Sequence, residues 1–263
     1  MNRFAIALAG ALLALPALAP ADAAARTYTV GVTPGTHERT MEFVKPLLAK
    51  KGIDIKIVSF SDYVLPNQAV DSGDLDMNAF QHQPYLDNQV KDRGYKLVSV
   101  GTNFVEPMGV YSTKIKSLAE LKAGDRVAIP NDPTNGGRAL LLLQKRGLIK
   151  LAPGAALTAG VVDIAGNPKK LRFVELDAAQ LPRSLPDVTI AAINTNYALE
   201  ANLVPTRDAL AIEAADSPYA NIFVVHARNK DAAWVKAIVS TYQTAPVRDF
   251  ILKTFKGAVA PAF

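Results

Sequence analysis

The strongest constraint on the fold lies between residues 27 and 60. Thr27–Thr33 (TYTVGVT) and Ile53–Phe60 (IDIKIVSF) are rich in β-branched and aromatic residues and alternate in part. Between them, Met41, Val44, Leu47 and Leu48 recur at helical spacing over Thr36–Lys51. A strand, a helix and a strand in that order predict a parallel pair joined by a crossover, and so an α/β sheet. Further strands are expected at Tyr95–Val100, Arg126–Pro130, Leu171–Leu176, Val188–Ile193 and Ile222–His226, with helical runs between most of them. Ser117-Leu118-Ala119-Glu120 reads as a capping box opening a short helix. Gly147 reads as the C′ residue closing the helix that holds Leu140–Leu143. Asp231–Thr244 and Val247–Phe255 close the chain as two helices.

With 49% hydrophobic residues the chain can bury a full core, and its length allows one large domain or two lobes. No internal repeat or Ser/Gly linker interrupts it. Two short irregular connections, Glu106–Tyr111 (EPMGVY) and Asp216–Asn221 (DSPYAN), bracket a stretch that reads as its own α/β unit. Two crossings between lobes make a hinge. The expected division is a leader at 1–25, one lobe from 26–108 with 220–263, and a second lobe from 109–219.

The leader expectation rests on residue chemistry. Met1-Asn2-Arg3 is a positive start, Phe4–Ala19 is apolar, and Ala21-Asp22-Ala23-Ala24-Ala25 has small residues at cleavage-site spacing. Pro16 interrupts the apolar run, which argues against a membrane span. The mature chain is therefore expected to be soluble, exported and periplasmic. Cysteine is absent, which removes disulfides, thiol catalysis and thiolate metal sites. It also removes the usual lipid-accepting side chain, so a protein without a lipid anchor is expected. The net charge of +5 comes from bases spread through helices, with no basic arm or aromatic platform, so no nucleic-acid partner is expected.

Three places carry candidate binding chemistry. Asn131–Arg138 (NDPTNGGR) runs straight into a helical ALLLLQKR. There Thr134 or Asn135 can cap the helix, glycines allow close backbone approach, and Arg138 in the first turn opposes the helix dipole. A base at that position suits an anionic partner, which the guanidinium fork can grip; a surface arginine on a plain turn is the competing reading. The phosphate-loop spacing and its lysine are missing. Asn194 and Asn196 follow the apolar strand Val188–Ile193, where ligands bind in open α/β sheets, although helix capping explains them equally. Asn221 stands beside the second crossing. Third, Asn78–Val90 (NAFQHQPYLDNQV) groups Phe80, His82 and Tyr85, and Tyr63 in SDYVLPN extends the set. Such a wall suits a thioether or another apolar side chain, and core packing is the alternative. The histidines are His37, His82 and His226, and they form no zinc pair; no nucleophile elbow is present. Asp74 and Asp76 fall in turn-like sequence. No enzyme, metal or cofactor is expected.

The segments 61–67 (SDYVLPN), 76–98 (DMNAFQHQPYLDNQVKDRGYKLV), 127–151 (VAIPNDPTNGGRALLLLQKRGLIKL), 167–176 (NPKKLRFVEL), 179–185 (AQLPRSL), 193–198 (INTNYA) and 217–221 (SPYAN) resemble the NlpA-type methionine-binding lipoprotein family. These are substrate-binding subunits of bacterial methionine ABC importers, and the likeness runs through the whole mature chain in order. It implies a type II periplasmic binding protein, two-lobed, with a ligand cleft between the lobes. By motif match, Arg138 would hold the ligand α-carboxylate, and Asn194 and Asn221 its backbone polar ends. Tyr63, Phe80 and His82 would wall its side chain, with Asn135 nearby; the helix after Tyr85 could turn that ring into the core. The ligand implied is methionine, L- or D-, or a close analogue. A methionine-containing dipeptide, or an enzyme on the same scaffold, is the alternative. The partners implied are an importer permease and ATPase, and the chain is expected to be a monomer.

Overall fold

The computed structural model describes residues 26–214 and 218–263. The leader read at 1–25 and residues 215–217 of the second irregular connection lie outside the described residues. Tyr28–Val32 and Ile55–Ser59 pair in parallel, Tyr28 opposite Ile55, and helix Thr36–Ala49 joins them. Met41, Val44 and Leu48 on one face of that helix are fully buried, as their i, i+3, i+7 spacing requires.

Two sheets organise the chain into a two-lobed α/β protein. In the first, the strand order is Ala260–Pro261, Leu97–Val105, Ala220–His226, Met77–His82, Tyr28–Val32, Ile55–Ser59. Tyr28–Val32 lies parallel to both of its neighbours, whereas Ala220–His226 runs antiparallel between Met77–His82 and Leu97–Val105. In the second, the order is Ala211–Ile212, Gly109–Tyr111, Ile190–Ile193, Arg126–Pro130, Arg172–Leu176. The last three are parallel to one another, and Gly109–Tyr111 is antiparallel to both of its neighbours. The chain passes from the first sheet to the second through 106–108 and returns after Ile212. Each sheet has its own core. Val30, Val32, Met41, Val44, Met77 and Phe223 pack together in one, and Val110, Val127, Ile129, Leu140, Leu143 and Ile190 in the other. Among the described residues, no helix is long and apolar enough to cross a membrane.

Two local readings need correction. Gly109–Tyr111 is a strand, not irregular chain. Three residues are too few to show alternation, and the strand exists because Ile190–Ile193 and Ala211–Ile212 offer it backbone partners. Ser117–Glu120 forms half a capping box over a 3-10 turn at Leu118–Glu120: Ser117 accepts from the Ala119 amide, but Glu120 takes the Lys116 amide. The closure at Gly147 is as expected. The helix Pro133–Lys145 ends just before it, and Gly147 adopts a left-handed φ of 71°.

The helix Pro133–Lys145 carries Asn135 and Arg138, and its start differs from the sequence reading. Asp132 is the cap, accepting from the Asn135 amide at 2.9 Å, and Pro133 takes the first helical position. Gly136 donates to the Asp132 carbonyl at 2.8 Å, so its N–H is not free for a ligand. Both glycines serve internal packing. A Cβ on Gly136 would lie 2.9 Å from the Pro130 carbonyl oxygen, and one on Gly137 only 2.3 Å from the Leu157 carbonyl oxygen. The close approach read from these glycines is thus to the chain's own backbone. Alanine for glycine inside a helix ordinarily gains about 1 kcal/mol. At Gly137 the sign should reverse, because backbone must move: Gly137→Ala is expected to destabilise by about 1–3 kcal/mol. Denaturant unfolding of the two proteins measures this, and an unchanged or higher midpoint would refute the overpacking argument.

Candidate functional site

The strand Met77–His82 ends in the cleft between the sheets, and every residue of it is buried. Its last side chain caps the next helix: His82 Nδ1 accepts from the Tyr85 amide at 3.2 Å. That bond decides the tautomer. With Nδ1 accepting, the neutral ring carries its proton on Nε2, which donates to Asn135 Oδ1 at 3.2 Å across the cleft. Burial, with the Arg138 charge adding to it, holds His82 near a pKa of about 3, well below its ordinary value.

Asn135 is consumed by the protein. Its Oδ1 accepts from His82 and from Asn194 Nδ2 at 2.8 Å, and its Nδ2 reaches both oxygens of Asp132 at 3.1 and 2.9 Å. Burial raises the Asp132 pKa, opposed by the bonds from Asn135 and Thr134. Since Asp132 already occupies the positive end of the helix, no anion site remains there. Gln81 is likewise engaged, sharing amide bonds with Asn67 and Asn78.

These residues stand around one cavity, lined by Tyr63, Phe80, Gln81, His82, Tyr85, Glu106, Asn135, Arg138, Asn194, Thr195, Asn196 and Asn221. All seven residues that the family resemblance picks out stand on that lining. One side is aromatic. The Tyr63 and Phe80 centroids are 5.8 Å apart, Phe80 and Tyr85 meet edge-on at 6.0 Å, and His82 meets Tyr85 edge-on at 6.2 Å. Tyr85 is therefore not lost to a lobe core, and its hydroxyl donates to the Tyr63 carbonyl at 2.8 Å.

The other side is polar. Glu106, from the first crossing, is buried. It accepts from Thr36 Oγ1 at 2.5 Å and from Asn221 Nδ2 at 3.1 Å, and His37 Nε2 lies 3.0 Å away. Asn194 Oδ1 and Asn196 Nδ2 are buried with no hydrogen-bond partner among the described residues. A buried polar atom without a partner costs about 1–3 kcal/mol; these two belong to residues of the cavity lining, whereas the similarly unpartnered atoms of Thr33, Gln89, Asn103 and Tyr111 belong to residues outside it. Contacts also cross the cleft at its rim: Tyr63 donates to Asn196 Oδ1 at 2.7 Å, and Tyr197 to the Ser61 carbonyl at 3.1 Å.

Arg138 needs the largest revision. It is the sixth residue of its helix, beyond the first turn, so the dipole argument does not apply. It is buried, and an internal anion already meets it. Nε lies 3.1 Å from both Glu213 oxygens, Nη2 pairs with Glu213 and donates to the Glu106 carbonyl at 2.7 Å, and the guanidinium lies 4.3 Å over the Tyr219 ring. Among the described residues, Nη1 has no hydrogen-bond acceptor. Sequence reasoning passed over Glu106 as a site residue, although it stands on a crossing that the sequence does mark. It had no local signal for Glu213, whose partner is 75 residues distant, or for Gln81 and Thr195.

A family model described as NlpA lipoprotein matches residues 28–263. The D-methionine-binding lipoprotein MetQ of Yersinia pestis is 51% identical over 248 residues, which is 93% of this chain and 92% of the relative. A nutrient-binding protein from Burkholderia cenocepacia, solved bound to methionine, is 55% identical with a TM-score of 0.88, covering 90% of this chain and 100% of its own. An ABC-transporter periplasmic substrate-binding protein from Coxiella burnetii is 48% identical with a TM-score of 0.86, covering 89% and 100%. These names overturn the expectation of a protein without a lipid anchor. The matched family and the Yersinia relative are lipoproteins, which points to a lipid-anchored protein.

The depressed His82 pKa sets a pH dependence. The unfolded chain binds a proton at this ring below about pH 6.5, while the folded chain does so only near pH 3. The stability this adds is fully present above the unfolded value and drains away as pH falls through that window, by up to about 1.4 kcal/mol per unit. Wild-type unfolding free energy should therefore fall more steeply between pH 6 and about 4 than that of His82→Asn. Parallel slopes for the two proteins would mean that the ring is not held neutral.

Proposed function

This chain belongs to the NlpA lipoprotein family, and from that premise we propose that it is the substrate-binding protein of a methionine ABC importer. Its fold is that of a two-lobed type II periplasmic binding protein. The observation that carries the ligand assignment is the split lining of one small cavity. Charged and unpartnered polar atoms stand on one side, and four rings on the other. A zwitterion with an unbranched apolar tail matches both halves.

In this reading the ligand carboxylate meets Arg138 Nη1, and the ammonium donates to Asn194 Oδ1 and the Glu106 carboxylate, with Asn221 holding Glu106. Tyr63, Phe80, His82 and Tyr85 enclose the thioether. Sulfur–ring contacts contribute about 0.3–1.5 kcal/mol each, and burying the side chain contributes about 1.5–3 kcal/mol. Asn135 acts by orienting His82 and Asn194. Residues 26–108 with 220–263 form one lobe and 109–219 the other, closing over the ligand about the crossings at 106–108 and after Ile212. The chain works as a monomer, releases its ligand unchanged, and delivers it to a permease driven by an ATPase. The relatives' names support a binder over an enzyme.

Calorimetric titration with L- and D-methionine tests the ligand assignment, and a protein that binds neither isomer refutes it. Arg138→Ala should weaken binding of the preferred isomer by about 2–5 kcal/mol, because a buried carboxylate loses its partner. Unchanged affinity in that variant would remove Arg138 from the carboxylate seat.

A further inference from the structure

The cavity holds two opposite charges that the fold must keep apart. Arg138 and Glu106 line the same small space, and Arg138 Nη2 already touches the backbone carbonyl of Glu106. Two buried opposite charges this close attract strongly, and a guanidinium resting on the Glu106 carboxylate would quench both poles. Glu106 is restrained from one side by Thr36, His37 and Asn221. Arg138 is restrained by Glu213. That residue does not line the ligand cavity; it lies in the adjoining hollow with Arg138, Leu141, Lys145 and Tyr219.

Glu213 is itself firmly placed. It follows the strand Ala211–Ile212 and exchanges bonds with the first crossing: its amide donates to the Met108 carbonyl at 2.9 Å, and Met108 N–H donates to Oε2 at 3.2 Å. Its carboxylate takes the whole Nε edge of the guanidinium and shares Nη2. Nη1 is left as the nitrogen with no acceptor among the described residues. A planar fork gripped along one edge has its remaining N–H directions set by that grip.

We propose that Glu213 is the positioning residue for Arg138, holding the guanidinium away from the Glu106 carboxylate so that Nη1 remains available to an incoming carboxylate. The inference rests on the methionine reading of the cavity. Two effects oppose each other when Glu213 is removed. The guanidinium becomes less neutralised, which favours an anionic ligand, and it becomes free to collapse onto Glu106, which abolishes the seat. The second prevails because Glu106 is already in contact through its carbonyl and requires no ligand to arrive.

The test is calorimetry on purified wild type, Glu213→Ala and Glu213→Gln, each titrated with methionine and with methioninol, whose CH2OH replaces the carboxylate. Glu213→Ala should weaken methionine binding about ten- to a hundredfold, the range that supporting partners of ligand-holding groups command at metal sites. Methioninol affinity should fall by a smaller factor, about three- to tenfold, since it loses only the Glu106 share of its ammonium seat whereas methionine also loses the charge pair with Arg138. Glu213→Gln keeps one acceptor oxygen for Nε and should fall between the other two proteins, and it serves if the alanine variant does not fold. Equal losses for both compounds would mean a structural role only, and unchanged or tighter methionine binding would mean that Glu213 merely tempers the charge; either result overturns the proposal. A wild type that binds neither compound sinks the methionine reading itself, whereas a wild type that binds beside variants that bind equally well sinks only the role of Glu213.

Discussion

The buried guanidinium of Arg138 is the point on which the two halves of this molecule meet. It grows from a helix of the second sheet's lobe, yet its acceptors lie on the two segments that pass between sheets: the Glu106 carbonyl on one, the Glu213 carboxylate on the other. A positive charge out of water must be neutralised by a partner to be tolerated. Meeting that demand pins both crossings to one side chain. The ligand cavity opens directly beside this junction, so the groups that would read a ligand's charge also sit where any relative motion of the lobes must pass.

Around that junction the polar residues divide into those the protein uses up and those it leaves unfinished. Asn135 and Gln81 have their amides engaged by neighbouring side chains, and His82 is locked as a neutral donor by the helix it caps. Asn194 and Asn196 each keep one buried atom without a partner among the described residues. A folded protein rarely leaves such atoms orphaned, and these two residues line the same cavity as Arg138 and Glu106. Asn135 is committed to bonds within the protein, whereas Asn194 Oδ1 and Asn196 Nδ2 remain open to a partner.

Periodicity was legible where an element is long or strongly patterned. The helix Thr36–Ala49, the strand Arg126–Pro130 and the closing helices stand within two or three residues of their expected ends. The strand Gly109–Tyr111 was not legible, because three residues carry no period and pairing alone makes them a strand. The start of the helix Pro133–Lys145 was misread in a telling way. Asp132, Thr134 and Asn135 are all plausible caps by type, and only the backbone geometry selects Asp132. The glycines were seen to permit close approach, but what approaches is the backbone at Leu157 and Pro130, contributed by other parts of the fold. On the site itself, residue types such as the aromatic run at Phe80–Tyr85 carried information. Glu213 did not, because a carboxylate in a short loop looks the same whether it faces water or a guanidinium.

The sequence by itself determined the α/β class and the parallel opening pair, and it holds no cysteine. Each of these depends on local spacing or on residue type, which one dimension records. Only the tertiary structure decided that Glu106 and Glu213 flank Arg138, which nitrogen of His82 carries the proton, and which amides remain unpartnered. Those outcomes depend on contacts between residues tens of positions apart. Burial then turns such contacts from optional into obligatory, because water is no longer there to complete a hydrogen bond or neutralise a charge.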